Sequence, residues 1–391
     1  MDYRGLGSIR AYPTLPVAGV AAAALLVFAS PGAASEMCPI GAPGIAVCGA
    51  APDLAEDLSR RRVDRTLATN PAGERLGRLD GSGTSGSGEP FAMTPDGNNT
   101  NFNTSLTQWS SALSAAELER LKQIKDASGE GFALPKAVRP APPKFDMWAK
   151  GRRESLTEDG ATAKEVDALT TYVGADYRMS QDFLFGGLVQ FDEAHQNIVT
   201  TPDAIDGKAF MAGPYMAYRL TPHVTVDAKA AWGSAQDSAM IGDDSTRFDT
   251  ARMLSEAKVK GSWAINQWQL SQSGAVTYFD ETGHSGIGGI AGTSVDVTRL
   301  SVGPELKRQF DTGKGASVEP FAFFKSSVDL SDAAFQDPAA LNTVGGGVVL
   351  AKPENFNIRA QADYTESTDD ISVPEARGKV SVSVPSSIFG F

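Results

Sequence analysis

The chain has 391 residues, with 35 lysines and arginines against 47 aspartates and glutamates, and a formal net charge of -12. This acidic balance, without runs rich in Lys and Arg, argues against nucleic acid as a partner, because phosphate binding needs a basic face. The 40 glycines and the small, polar composition favour strands joined by tight turns over a helical enzyme.

Residues 1–35 have the pattern of a cleaved signal peptide. Arg4 and Arg10 give a positive start, residues 15–30 form an apolar core, and small residues up to Ala34 precede a cleavage point. The apolar run is shorter than the roughly 20 residues that a spanning helix needs, which disfavours the alternative of a membrane anchor.

Cys38 and Cys48 are the only cysteines. Outside the cytoplasm, a pair that closes a short loop is most simply a disulfide. A metal site needs more ligands than these two side chains, and no histidine lies near them. We therefore expect a disulfide and no metal.

Residues 36–110 are predicted to be a short, flexible, passenger-like region. The stretches "DGSGTSGSGEP" and "TPDGNNTNFNTS" are too rich in Gly, Ser, Asn and Thr to bury much apolar surface. The Asn-Asn pair within them is also compatible with a cleavage site in front of a helix.

Residues 111–143 are predicted to form a linker helix followed by a Pro-rich spacer. Ser114 and Glu117 have the spacing of a capping box at the start of a helix that ends near Ala127. Its thin apolar stripe consists of Leu118, Leu121 and Ile124.

From residue 144 to 391 an alternating pattern predicts β-strands. In "HVTVDAKAAWG", Val224 and Trp232 share one face with three other apolar residues, while Asp227 and Lys229 lie on the opposite face. The predicted strands are 145–153, 166–178, 182–192, 208–220, 223–233, 248–263, 267–279, 294–308, 316–326, 343–352, 355–365 and 375–384. The connections between them alternate between short ones and long ones of about ten residues or more.

This alternation of connections indicates an up-and-down meander with tight turns at one end and long loops at the other. It is typical of an outer-membrane barrel, so we predict an all-β fold, a closed antiparallel transmembrane β-barrel of about 12 strands. Closure would pair every backbone group in lipid. A soluble sandwich could produce a single such strand, but Greek-key links have no reason to follow the alternation.

Charged residues of the predicted strands fall almost entirely on one face. A Lys or Arg facing lipid near the midplane would cost about 2–4 kcal/mol, so this face is predicted to line the lumen. The predicted lumen-facing charges are Asp176, Lys229, Glu256, Lys258, Glu305, Arg359, Asp363 and Arg377.

Three stretches resemble the β-domain of bacterial autotransporters. They are "FDMWAKGR" (145–152), "TTYVGADYRMSQDFLFGGLVQFD" (170–192) and "AFMAGPYMAYRLTPHVTVDAKAAWG" (209–233). The resemblance implies a twelve-stranded translocator in the outer membrane of Gram-negative bacteria, which carries an N-terminal passenger to the cell surface with a linker helix in the pore. Outer-membrane lipid, lipopolysaccharide and the barrel-assembly machinery are then the expected partners of a monomer.

The sequence departs from that family in two places. The segment available as a passenger is short, so either the cargo is vestigial or the barrel itself is the product. Pro385 interrupts the last strand, although Phe391 supplies a terminal aromatic residue, which indicates a tail added after Val384.

The sequence predicts no catalytic residue and no cofactor. His195 could pair with Asp192, and His284 with Asp280, in a barrel enzyme, but no G-x-S-x-G motif accompanies them. His223 lies at a strand end. The glycines at 345–347 lack the helix and lysine of a phosphate loop and instead suit a closely packed strand.

Two functions remain open from the sequence. The first is a translocator that displays a short N-terminal segment, with the helix of Leu118, Leu121 and Ile124 inside the pore. The second is a pore or structural barrel with the N-terminal region in the periplasm as a plug or tether. Under either, the long loops face the cell surface and the short turns face the periplasm.

Overall fold

A computed structural model describes the chain over residues 57–66, 75, 91–96, 99–128, 143–158, 163–241, 244–283, 294–313, 315–330, 340–352, 356–367 and 375–383. The predicted signal peptide, the predicted Cys38–Cys48 disulfide, the Pro-rich spacer up to residue 142 and the tail after Val384 lie outside these residues.

Two helices are described. The first, α1, covers residues 57–66, and Arg75 farther along is also helical. The second, α2, is Leu106–Ser128. Within the described ranges, no helix is both long and apolar enough to cross a membrane.

The remaining elements are strands of one antiparallel sheet. They are β1 Phe91–Asp96, β2 Asn99–Ser105, β3 Phe145–Glu158, β4 Lys164–Arg178, β5 Phe183–Ile198, β6 Ala204–Thr221, β7 Val224–Ile241, β8 Asp244–Ile265, β9 Trp268–Gly283, β10 Ser294–Lys307, β11 Phe310–Gly313, β12 Ala316–Asp329, β13 Ala340–Lys352, β14 Phe356–Ser367 and β15 Glu375–Ser383. Each strand pairs with the next along the chain, except that β10 pairs with β12, and the short β11 pairs only with β12.

The all-β antiparallel fold is confirmed, but the sheet has more strands than predicted. All twelve predicted segments overlap strands, and β1, β2 and β11 are additional. The expectation of a flexible region up to residue 110 is therefore wrong for β1 and β2. Asn99, the second residue of the Asn-Asn pair, is the first residue of β2. Composition missed this hairpin because backbone pairing with β3, rather than apolar burial, holds β2 in place.

The predicted long loops are also shorter than expected. Residues 199–203 join β5 to β6, and residues 242–243 join β7 to β8, because the strands continue through the polar stretches assigned to loops. β6 and β7 have 18 residues each and β8 has 22. A transmembrane strand needs only roughly 9–11 residues, so these strands exceed that length.

The two ends of the sheet are named by their connections. The turn end is where residues 179–182, 222–223 and 266–267 join consecutive strands, and the loop end is where residues 159–163, 199–203 and 284–293 do so.

The two faces of the sheet differ in burial. On β7, the inner face carries Asp227, which is 5% exposed, while the outer face carries Trp232, which is 51% exposed. This is the arrangement predicted for "HVTVDAKAAWG". The exposed outer face is rich in large apolar side chains on many strands, including Phe145, Val173, Phe185, Phe210, Met216, Tyr218, Leu220, Val259, Val276, Leu300, Val302, Phe324, Val344 and Tyr364.

Glycines on the inner face make room for aromatic rings from the neighbouring strand. A Cβ atom on Gly174 would lie 2.4 Å from the Trp148 ring, and one on Gly347 would lie 2.8 Å from the Phe321 ring. The glycines at 345–347 therefore belong to a closely packed strand, as the sequence predicted.

The first and last strands of the sheet lie beside each other. Residues of β1 and β15 come within 8 Å of one another at their Cα atoms. The described strand pairs contain no hydrogen-bonded ladder between these two strands.

Candidate functional site in the interior of the sheet

The helix α1 is buried against the inner face of the sheet. Leu58 packs in a cluster formed by inner-face residues of five successive strands, namely Ala168, Ala194, Ile205, Ala239 and Phe248. Val63, one turn and a half farther along, packs against a second cluster that includes Met211, Leu254, Phe279 and Val295. The helix therefore contacts strands from β4 to β10.

Arg62 holds α1 to two strands through buried ion pairs. Its Nη2 atom lies 2.5 Å from Asp237 Oδ1 on β7, and its Nη1 atom lies 2.6 Å from Glu281 Oε1 on β9. Ser59 Oγ donates a second hydrogen bond to Glu281, at 3.0 Å. The Arg62 side chain is completely buried. Burying a charge is costly unless it is paired, and here both carboxylates supply the pairing.

The two ends of α1 are tied to other strands. Lys164 Nζ on β4 lies 2.8 Å from Asp57 Oδ2, and Gln196 on β5 donates to the same oxygen. Asp64 Oδ1 lies 2.8 Å from Arg299 Nη1 on β10.

Arg75 makes a comparable anchor at the turn end. Its Nε atom lies 2.9 Å from Asp176 Oδ2, its Nη2 atom contacts Asp146, and its guanidinium stacks over the Trp148 ring at 5.6 Å. Tyr215 donates its hydroxyl hydrogen to Asp176 at 2.8 Å and accepts a hydrogen bond from Trp148 Nε1. This network connects Arg75 to β3, β4 and β6.

These contacts give the segment from 57 to 75 a direction. Lys164, the partner of Asp57, is the first residue of β4 and lies at the loop end. Asp176, a partner of Arg75, lies two residues before β4 finishes at the turn end. Among the described residues, Asp57 is therefore held at the loop end of the inner face and Arg75 at its turn end.

The inner face also carries ion pairs of its own. Arg252 on β8 lies 2.9 Å from Asp192 on β5 and 3.2 Å from Glu281 on β9. Lys229 on β7 lies 3.3 Å from Glu256 on β8. Acidic and basic side chains thus alternate across the part of the inner face that α1 contacts.

The structure places the predicted lumen charges as follows. Asp176, Lys229 and Glu256 are buried on the inner face. Lys258, Glu305, Arg359 and Asp363 are partly buried on that face, and the Arg359 guanidinium lies 4.0 Å from the centre of the Phe321 ring. The backbone of Arg377 pairs with that of Asp363 in the β14–β15 register.

Several residues of the site were missed by the sequence analysis. Asp237 lies in a stretch assigned to a loop, although the alternation of Ala235, Asp237 and Ala239 continues the phase of β7. That continued alternation is a signal that could have found it. Arg62 belongs to "SRRRVDR", whose composition is typical of a charged linker. Its role depends on the buried acidic residues Asp237 and Glu281 of the inner face, which come from distant strands.

The prediction of a pore helix formed by Leu118, Leu121 and Ile124 is wrong. α2 begins at Leu106, where Ser105 Oγ accepts a hydrogen bond from the Gln108 backbone N–H at 3.2 Å, so the N-cap is Ser105 rather than Ser114. Its main contacts are with β2 and β3. Leu113 is 67% exposed and Ile124 is 47% exposed. The helix that lies on the inner face is α1, whose Arg62 pairs with the acidic residues Asp237 and Glu281 of that face.

The histidine pairs considered for catalysis are not assembled in the described part of the chain. His195 Nδ1 lies 2.5 Å from Asp206 Oδ1, with both side chains exposed. Asp192, three residues before His195 on the same strand, is buried on the other face, because an odd separation in a strand reverses the side. His284 lies outside the described residues, and within them no group of three or more potential ligands could hold a metal ion.

No protein-family model and no curated protein matches the sequence. The chain is similar to autotransporter β-domains in solved structures. The β-domain of the Bordetella autotransporter BrkA is 14% identical, with a TM-score of 0.44, over 61% of this chain and 98% of that chain. The translocator domain of the autotransporter NalP from Neisseria meningitidis is 15% identical, with a TM-score of 0.42, over 70% of this chain and 96% of that chain. The CymD monoaromatic hydrocarbon channel is 10% identical, with a TM-score of 0.38, over 61% and 78%.

Proposed function

We propose that this protein is an outer-membrane β-barrel of autotransporter type that displays a short N-terminal segment at the cell surface. The observation that carries the proposal is the buried pairing of Arg62 with Asp237 and Glu281. It fixes a segment from the N-terminal region along the inner face of the sheet, where a chain passing through a barrel would lie.

The outer face supports a membrane location. Large apolar side chains are exposed on many strands of this face, and an apolar surface of that extent marks a contact with lipid or protein. On the loop-end extensions of β5 and β6 the outer face instead carries Glu193, His195, Asp206 and Lys208. An apolar band bounded by polar extensions is what a barrel taller than the hydrocarbon layer would have.

The proposed barrel is closed by β1 and β15. These strands end the order of the sheet yet lie side by side. An open edge in lipid would leave unpaired backbone groups, each costing several kcal/mol, so the membrane itself favours closure.

The direction of α1 supports export of the residues before it. Asp57 is tied to the loop end, and Arg75 to the turn end. If the turn end faces the periplasm, the chain before residue 57 leaves the barrel at the cell surface. The proposed partners of this monomer are outer-membrane lipid, lipopolysaccharide and the barrel-assembly machinery, and the proposed role is not enzymatic.

Surface proteolysis of intact cells tests the proposal. One variant carries an epitope at about residue 45, before α1, and a matched control carries the same epitope directly after Ser128, in the β2–β3 connection at the turn end. We expect external protease to remove the first epitope and to spare the second until the outer membrane is permeabilised. Protection of both epitopes in intact cells would instead support the alternative, a structural or pore-forming barrel whose N-terminal region stays in the periplasm.

Membrane insertion is tested separately. Detergent-extracted protein should migrate differently on a gel before and after heating, as folded barrels do, and its circular dichroism should be rich in strand. A protein that stays soluble without detergent would contradict the membrane proposal.

A further inference from the structure

Arg308, in the short link from β10 to β11, lies close to two aromatic rings. The centre of its guanidinium is 4.5 Å from the centroid of the Phe310 ring and 5.6 Å from that of Trp268. One of its N–H groups donates to the side-chain oxygen of Gln267 in the β8–β9 turn. The guanidinium is therefore held at the turn end of the sheet.

The surroundings of Arg308 belong to the outer face. Trp268 pairs with Ile265 across the β8–β9 turn, and Phe310 lies opposite Val318, whose phase on β12 is the reverse of that of the buried inner-face Phe321. Trp268 is 39% exposed and Phe310 is 42% exposed. We name the turn-end patch the set of Trp263, Ile265, Trp268, Leu306, Arg308 and Phe310.

Arg308 is the single charged side chain of the turn-end patch. Among the described residues, no carboxylate lies within ion-pair distance of its guanidinium, whereas Arg299 on the inner face has both Asp64 and Asp329. A guanidinium has five N–H donors, and Gln267 accepts from one of its nitrogens. The site thus offers a cation with donor capacity on an otherwise apolar surface.

We propose that Arg308 binds the phosphate of a phospholipid headgroup in the leaflet at the turn end. This inference rests on the membrane location proposed above. A lipid-facing Arg costs about 2–4 kcal/mol at the midplane but only about 0–1 kcal/mol near an interface, where aromatic girdles also lie. The planar fork of Arg suits phosphate oxygens, and stacking on Phe310 and Trp268 limits the orientations of that fork.

Lipid retention by the folded protein tests the site. Wild type, Arg308→Gln and Trp268→Leu are reconstituted in vesicles that contain equal parts of phosphatidylglycerol and digalactosyldiacylglycerol, which lacks phosphate. The proteins are then released into mild detergent and weighed by native mass spectrometry. The control, Lys208→Gln, removes an exposed cation of the outer face at the loop end, paired at 3.0 Å with Glu193.

We expect wild type and the control to keep phosphatidylglycerol in preference to the galactolipid. Arg308→Gln should lower the retained phosphatidylglycerol at least about threefold and abolish the preference, and Trp268→Leu should lower it less. Unchanged retention in Arg308→Gln would overturn the inference, as would an equal fall in the control. If Arg308→Gln does not fold, unchanged retention in Trp268→Leu overturns it. Heat-dependent gel mobility is measured first on every variant, so failure of the membrane proposal is seen separately.

Discussion

At the scale of single residues, the site consists of charges that are buried together. Arg62 brings one positive charge to two carboxylates, those of Asp237 and Glu281. Arg252, on β8 of the inner face, also forms an ion pair with Glu281. Removing one partner from such a group leaves the others buried without compensation, which costs about 3–5 kcal/mol. Arg62 is thus important for holding α1 against both β7 and β9.

We predict that Arg62→Gln loosens α1 within a folded sheet. With about 3 kcal/mol lost, amide hydrogen exchange across residues 57–66 should accelerate about 100-fold, since each 1.4 kcal/mol corresponds to a factor of ten. The matched control is Arg60→Gln, which changes an exposed arginine of the same helix. Equal acceleration in both variants would mean that loss of charge, rather than loss of the buried pairs, releases the helix. Adding Asp237→Asn and Glu281→Gln to the Arg62 variant should restore part of the protection.

At the scale of elements, the helix on the inner face is α1, for which the sequence predicted no helix, and not the helix that the sequence placed in the pore. α2 is the longer helix, and its sequence has a capping signal and apolar residues spaced about one helical turn apart. It lies beside β2 and β3, and most of its described side chains are partly or fully exposed. α1 has ten residues, about 15 Å at 1.5 Å per residue, and is short for a stable isolated helix. α1 is stabilised by its contacts with the inner face, namely the packing of Leu58 and Val63 and the ion pairs of Arg62.

We predict that α1 restricts conduction through the barrel. Deleting residues 36–75 removes the segment held by Arg62 and Arg75 but spares β1 and β2, and single-channel conductance in planar bilayers should rise severalfold. Leu113→Ser, on the exposed side of α2, should leave the conductance of the full-length protein unchanged. Equal conductance of the deletion variant and the full-length protein would show that α1 does not obstruct the passage.

At the scale of the whole molecule, the orientation of the sheet decides where the N-terminal segment emerges. The turn end has connections as short as residues 222–223, and the loop end has longer ones such as residues 284–293, although residues 242–243 form a two-residue connection at the loop end. In outer-membrane barrels the short turns face the periplasm and the longer loops face outward. The polar extensions of β5 and β6 lie on the loop-end side.

We predict that Thr200→Cys reacts with an impermeant thiol reagent on whole cells and that Pro222→Cys does not. Thr200 lies in the exposed β5–β6 connection at the loop end, and Pro222 in the β6–β7 turn at the opposite end. Both cysteines should react after the outer membrane is permeabilised, which controls for accessibility. Labelling of position 222 alone on intact cells would reverse the orientation and place the chain before α1 in the periplasm.

The sequence by itself determined which residues share a face of each strand. Alternation with a period of two is a local property of an extended chain, so the separation of Asp227 and Lys229 from Trp232 could be predicted without knowing any neighbour. The same local rule predicted twelve strands and a closely packed glycine stretch at 345–347. It would also have extended β7 to Asp237 had the polar outer residues there not been assigned to a loop.

Only the tertiary structure decided which segment lies against the inner face. "SRRRVDR" and the helix from Leu106 to Ser128 are both charged and only weakly apolar, and nothing local distinguishes their positions. The difference arises because Asp237, Glu281 and Asp176 come from different strands and lie on the same inner face. Leaving these buried carboxylates unpaired would cost folding free energy. Arg62 and Arg75 form ion pairs with these carboxylates, whereas the main contacts of α2 are with β2 and β3. A pairing between residues more than 100 positions apart is a property of the folded sheet, which is why the local pattern could not reveal it.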